Sequence, residues 1–139
     1  MNSTEWQQAK LDDIPSQHGA EFWREWTDDP AFGSRWHSVR HHFGLTSIGI
    51  NANGGDAGDQ IVVEHDEQED ANQDEVYFVV RGRARFVLDG TEIEAGPGEL
   101  VCVGGAVTRA AWAVESPTQL LMIGGTPGGA YAVPGWDGG

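Results

Sequence analysis

Apolar residues come in short alternating bursts along this chain, separated by glycine-rich or acidic turns. Alternation with a period of two marks a strand with one buried face, so the bursts predict strands rather than helices. The pattern begins after Val39. It predicts β structure over residues 41–50, a turn rich in Asn and Gly over 51–58, and a strand over Gln60–His65. Past an acidic loop at 66–74 come Glu75–Arg81, closed by Gly82, and then Arg83–Leu88. Asp89-Gly90 is a strong hairpin signal, because a two-residue turn of this kind needs positive φ at both positions. Thr91–Glu94, Leu100–Val103, Arg109–Val114 and Gln119–Ile123 complete the series. Short strands at regular spacing with glycine turns predict an all-β antiparallel sandwich or barrel.

The ends differ from this middle. Residues 1–37 read as an irregular N-terminal arm in which Glu21–Trp26 could form a short helix, closed by Asp28-Asp29-Pro30. Trp6, Trp23, Trp26 and Trp36 fall here and are expected to pack on the barrel or across a subunit interface, with a lid over the pocket as an alternative. Residues 126–139 are a Gly/Pro-rich tail that adds little core. The expected division is therefore arm 1–37, barrel 38–125 and tail 126–139, within one 139-residue chain long enough for a single core.

Charge narrows the class. The net charge of −14 would repel a nucleic-acid backbone or an anionic membrane, so neither is expected as a partner. Between Arg40 and Arg81 there is no Lys or Arg but nine acids, most simply a solvated acidic surface, with some acids free to bind a cation. No apolar run reaches the about 20 residues of a membrane span, and the first residues lack the basic start and apolar core of a signal peptide. A cytoplasmic location is expected. Cys102 is the only cysteine, so there is no internal disulfide and no cysteine-rich zinc site; within its valine strand it is expected to be a buried apolar residue.

Candidate chemistry concentrates in two segments. The first is His65-Asp66-Glu67, followed by Glu75-Val76-Tyr77-Phe78-Val79-Val80-Arg81-Gly82. The second runs from Gly96-Pro97-Gly98-Glu99 to Thr108-Arg109. Strand parity places Glu75, Tyr77 and Val79 on one face and Val76, Phe78 and Val80 on the other. Of the adjacent pair His41 and His42, one would face inward on a strand, as a reserve ligand. Gly54-Gly55-Asp56-Ala57-Gly58 is followed by no convincing helix, which argues against a phosphate-cradling loop.

These segments resemble the paired motifs of the cupin superfamily, approximately G…HxH…E…G and G…PxG…H…N. His65 matches the first histidine, Glu67 stands where the second would be, and Glu75 with Gly82 gives the ExxxxxxG ending. Gly90, Pro97 and Gly98 fit the second motif, whose histidine falls at Arg109 and whose asparagine falls at Ala113. The resemblance covers about residues 40–125. It is closest to small single-domain bacterial, RmlC-like cupins with a degenerate second motif. It implies a double-stranded β-helix, or jelly-roll barrel, with Glu75 and Tyr77 facing the interior and a homodimer as the usual assembly. A fold of this kind hosts unrelated chemistries, so it does not choose among them.

Three readings of the pocket follow. His65, Glu67 and Glu75 are N/O ligands of a type that accepts zinc, iron or manganese, and such a metal would imply dioxygenase or isomerase chemistry. Arg109 opposes this, because a guanidinium is always charged and never a ligand. It would pair with Glu75 in a metal-free pocket, or present its fork to an anionic group of a substrate. In the metal-free reading His65 and Glu75 are the catalytic acid/base pair, and Arg109, Tyr77 and Trp112 contact the ligand. The protein is then a small enzyme acting on a polar or anionic metabolite, metal-free or weakly metal-dependent. The remaining readings are a non-catalytic ligand-binding or sensing module, and a purely structural polar core.

Overall fold

Two antiparallel sheets face each other across an apolar interior in a computed structural model that describes residues 1–18, 35–69 and 72–133. The chain enters through a 3₁₀ turn at Leu11–Asp13, then β1 (Ser16–His18), β2 (Arg35–His37) and a short helix α1 (Val39–Phe43). The remaining strands are β3 (Gly49–Gly55), β4 (Gln60–His65), β5 (Asp74–Arg81), β6 (Ala84–Leu88), β7 (Thr91–Ala95), β8 (Leu100–Val103), β9 (Arg109–Ala113) and β10 (Thr118–Gly125). One sheet has the order β1-β2-β3-β10-β5-β8 and the other β4-β9-β6-β7.

Alternation decides the core. Tyr77 and Val79 on β5, Ala84 and Phe86 on β6, Val101 and Val103 on β8, and Leu120 and Met122 on β10 point inward and are buried together. Their sequence neighbours face outward, as the period of two requires. The hairpin at Asp89-Gly90 has φ of +48° and +83° and joins Leu88 to Thr91, the turn that its sequence predicts. Gly82 is likewise at φ +77°, and a Cβ there would strike Thr118 and Pro117.

Four expectations need correction. Residues 41–50 are not one strand: Val39–Phe43 is helical, capped by Gly44 at φ +68°, whose N–H donates to the His41 carbonyl at 3.2 Å. His41 and His42 are therefore exposed helix residues, not inward-facing ligands. The Asn/Gly-rich stretch predicted as a turn instead forms most of β3, between β2 and β10. Cross-strand pairing overrides its low β propensity here. Asn53, fully buried, donates to the Ile61 carbonyl at 2.8 Å, and a Cβ on Gly54 would lie 2.6 Å from the Thr118 carbonyl.

Among the described residues of the arm, β1 and β2 extend the larger sheet. Within it Trp36 is buried and donates from Nε1 to Ser38 Oγ at 3.0 Å, whereas Trp6 is 82% exposed. The Glu21–Trp26 helix, with Trp23 and Trp26, lies outside the described residues. Finally, Cys102 is exposed, because on β8 it is Val101 and Val103 that turn inward.

Candidate functional site

The site is assembled where the end of β4 meets the beginnings of β5 and β9. His65 closes β4 and lies in register with Arg109, the first residue of β9. Both belong to the four-stranded sheet, while Glu75 and Tyr77 come from β5 in the facing sheet. Glu67 sits in the loop after β4, where its N–H donates to the Gly105 carbonyl at 2.8 Å and its carbonyl accepts from Asn72 N–H at 2.9 Å. Gly105 has no room for a side chain, since a Cβ would meet Asn72 backbone atoms at 2.7 Å. The loops carrying Glu67 and Gly105 are thus locked to each other beside the site.

Glu75 is the hub. Its Oε1 accepts from Arg109 at 2.7 Å and from the Tyr77 hydroxyl at 2.8 Å, and lies 3.7 Å from His65 Nε2. His65 Nε2 also lies 3.0 Å from Glu67 Oε1, and its Nδ1 lies 2.6 Å from the Val63 carbonyl. Both ring nitrogens therefore face acceptors, and only the doubly protonated ring donates to both. Burial disfavours the imidazolium, but Glu67, Glu75 and the Val63 carbonyl outweigh it and hold the His65 pKa up at about 10. Burial also works against the Glu75 carboxylate; His65, Glu67 and Tyr77 overcome it and bring that pKa down to about 2. Burial, partly offset by His65, leaves Glu67 above the usual carboxylate range. The Tyr77 hydroxyl is pushed well above its ordinary value by burial and by Glu75.

Arg109 is fully buried. Beyond Glu75, its Nε donates to the Val107 carbonyl at 3.1 Å, and its second terminal nitrogen donates to the carbonyls of Gly104 at 2.7 Å and Val107 at 3.0 Å. Of the alternatives drawn from the sequence, the geometry has the internal one: the guanidinium is held by the protein, not turned toward a ligand. Tyr77 is also buried, its ring 5.6 Å from that of Phe86, and only its hydroxyl reaches the site. Trp112 does not join them. It stands on the outer face of β9, opposite in parity to Arg109, with the Arg85 guanidinium 4.6 Å over its ring. The carbonyls of Gly104 and Val107 went unforeseen; Gly104-Gly105 reads as turn chemistry, and nothing in a sequence reports which way a carbonyl points.

The donor set can be tested against a divalent ion. One ligand atom each from His65, Glu67 and Glu75 lie within 4.8 Å of one another, a spacing and a donor chemistry that suit such an ion. The charges do not. A metal would have to displace a proton from His65, and it must share Glu75 Oε1 with a guanidinium 2.7 Å away. Two cations, imidazolium and guanidinium, already balance the two carboxylates. As arranged, the residues do not fit a resident metal.

Comparison with known proteins bears on the fold. No protein-family model matches the sequence, and no curated protein does. Among solved structures, a sugar phosphate isomerase of the cupin superfamily from Silicibacter pomeroyi is similar with a TM-score of 0.64 and 20% identity, over 85% of this chain and 74% of the other. A cupin protein from Bacteroides fragilis gives 0.60 and 19%, over 78% and 86%. KdgF from a Halomonas species gives 0.56 and 18%, over 70% and 81%. The two-sheet order and these likenesses agree that the chain has the cupin-type jelly-roll fold.

Proposed function

We propose that the barrel opening binds a small polar metabolite and acts on it by proton transfer, with no metal required. The observation that carries this reading is the convergence of His65, Glu67 and Glu75 on one partly open point, with Glu75 fixed from behind by Arg109 and Tyr77. His65 is the exposed member, with about a third of its side chain open to solvent at 32%. As an imidazolium it donates to a substrate oxygen on which negative charge develops once that oxygen takes the Nε2–H from Glu67. Glu67, whose burial raises its proton affinity, is the better proton acceptor of the two carboxylates. Glu75, held ionised, keeps His65 charged and in place. Arg109 and Tyr77 are positioning residues in this scheme.

With Arg109 turned inward, a ligand meets one imidazolium and two carboxyl groups, which favours a neutral, hydroxyl-bearing molecule over a strongly anionic one. One fold neighbour is named a sugar phosphate isomerase, which supports a small-molecule site by analogy of fold but not the charge class of the ligand, since a sugar phosphate is strongly anionic. The test is a thermal-shift screen of small polyols, sugars and hydroxy acids on the wild-type protein, followed by a turnover assay on the binders. The expected result is at least one binder whose conversion is abolished by His65→Ala while binding persists. Binding without conversion, in wild type as in variant, would instead make the protein a binding or sensing module.

A further inference from the structure

The larger sheet carries a cavity on its outer side, away from His65. Its volume is about 540 Å³, within the range of small-molecule pockets, and Asp12, Arg35, His37, Asp56, Asp59 and Arg81 stand on its walls. Trp36 of β2 points into the barrel core, so Arg35 and His37 on either side of it face outward. Glu75 lies in register with Gly124, and Gly124 with Gly49, whereas the cavity lies at Gln119 and Gly54, five residues along both strands. At about 3.3 Å per residue that is about 17 Å from the His65 cluster.

The charged groups on its walls divide into those that the protein uses and those that it does not. Arg81 donates to Asp12 and, at 3.0 Å, to Gln119 Oε1, and so is committed within the fold. Arg40, Arg83, Arg85 and Arg109 likewise donate to oxygens of the protein. Arg35 differs: in a chain with 22 acidic residues, its guanidinium makes no hydrogen bond or ion pair among the described residues. The Asp56 carboxylate makes none either, although its backbone N–H donates to Asp59 Oδ2 at 2.9 Å and fixes the loop. His37 is only 4% exposed, and its Nδ1 donates to the Ile14 carbonyl at 2.9 Å. That bond sets the ring, and Nε2 on its other side has no partner among the described residues. A buried polar atom left unpaired beside a cavity points to a ligand.

We propose that this cavity binds a free amino acid, with its carboxylate on Arg35 and its ammonium group on Asp56 and His37 Nε2. Charge selects a zwitterion. Asp12 and Arg81 neutralise each other, which leaves one guanidinium and the carboxylates of Asp56 and Asp59 on the walls. A simple anion meets the two carboxylates and a simple cation meets the guanidinium, whereas a molecule carrying both charges satisfies both. The planar fork of Arg35 matches a carboxylate, and an ammonium group has only donors to offer, which suits a carboxylate and a ring nitrogen as acceptors.

The test titrates the full wild-type chain with each standard L-amino acid by isothermal titration calorimetry, with acetate and methylamine as controls that carry one charge each. At least one amino acid should bind, at least about tenfold more tightly than either control. Arg35→Ala and Asp56→Asn should each weaken that binding by at least about tenfold, the effect of one lost charge-assisted hydrogen bond. Both side chains are exposed, so neither change should move the unfolding midpoint. His65→Ala, at the other site, should leave the binding unchanged. No binding by any amino acid, binding no tighter than that of the controls, or binding indifferent to Arg35→Ala would each overturn the proposal. So would its loss on His65→Ala, which would put the ligand at the His65 cluster instead.

Discussion

Arg109 and Glu75 tie the two sheets of the barrel together. The guanidinium from β9 donates to Glu75 Oε1 of β5 at 2.7 Å, across the interior and with the arginine fully buried. Buried pairs of this kind add little net stability over an apolar equivalent, but removing one partner strands the other. Here the strand register gives the pair a second consequence, because the same Glu75 oxygen faces His65.

Arg109→Leu should therefore destabilise the protein by about 3–5 kcal/mol, the cost of leaving Glu75 and the loop carbonyls without their donor. Arg109→Lys keeps the charge but loses the fork and should recover only part of it. Urea unfolding of both variants checks this; a loss below about 1 kcal/mol for the leucine variant would mean that the pair does not form.

Tyr77→Phe removes one donor to an ionised carboxylate and leaves the packing against Phe86 intact. The expected loss is about 1.5–3 kcal/mol. An unchanged unfolding midpoint would show that the hydroxyl does not hold Glu75.

Stability should depend on pH with a defined sign. The His65 pKa is raised from 6.5 to about 10, so its contribution is complete below pH 6.5 and is lost as pH rises through about 10. The Glu75 pKa is lowered from 4.5 to about 2, so its contribution is present above pH 4.5 and is lost as pH falls through about 2. Because His65 is partly solvated, its effect is on the order of a few kcal/mol at most. Denaturant midpoints from pH 6 upward, compared between wild type and His65→Gln, should converge at high pH. A constant difference would contradict the charged imidazole.

Gly82→Ala tests the backbone that frames β5. The position has φ +77°, and an added methyl would collide with Thr118 and the Pro117 carbonyl. Strain of this kind costs about 1–3 kcal/mol or more, read as a fall in the unfolding midpoint. A neutral substitution would mean that the turn relaxes.

Much of this architecture is legible in the residues. The alternation on β5 foretells that Glu75 and Tyr77 share the inner face, and Asp89-Gly90 foretells its hairpin. Local signals were misleading where tertiary pairing overrides them. Asn51–Gly55 has the composition of a turn yet pairs along β10, and His41 and His42 sit in a helix that the β-forming neighbourhood disguises. The pairing of Arg109 with Glu75 was one of several open alternatives, because a sequence gives the charges but not their distances. The parity of Trp112 was readable from Arg109 three residues before it, and its outward position under Arg85 follows from that alternation.

The central claim is that Arg109 and a protonated His65 neutralise the two carboxylates that a divalent ion would need. Elemental analysis of untagged protein, purified from cells supplied with iron, zinc and manganese, tests it most directly. The account predicts substoichiometric metal throughout and no thermal shift when any of the three ions is added. About one equivalent of a single metal per chain, lost together with stability on Glu75→Gln, would contradict it.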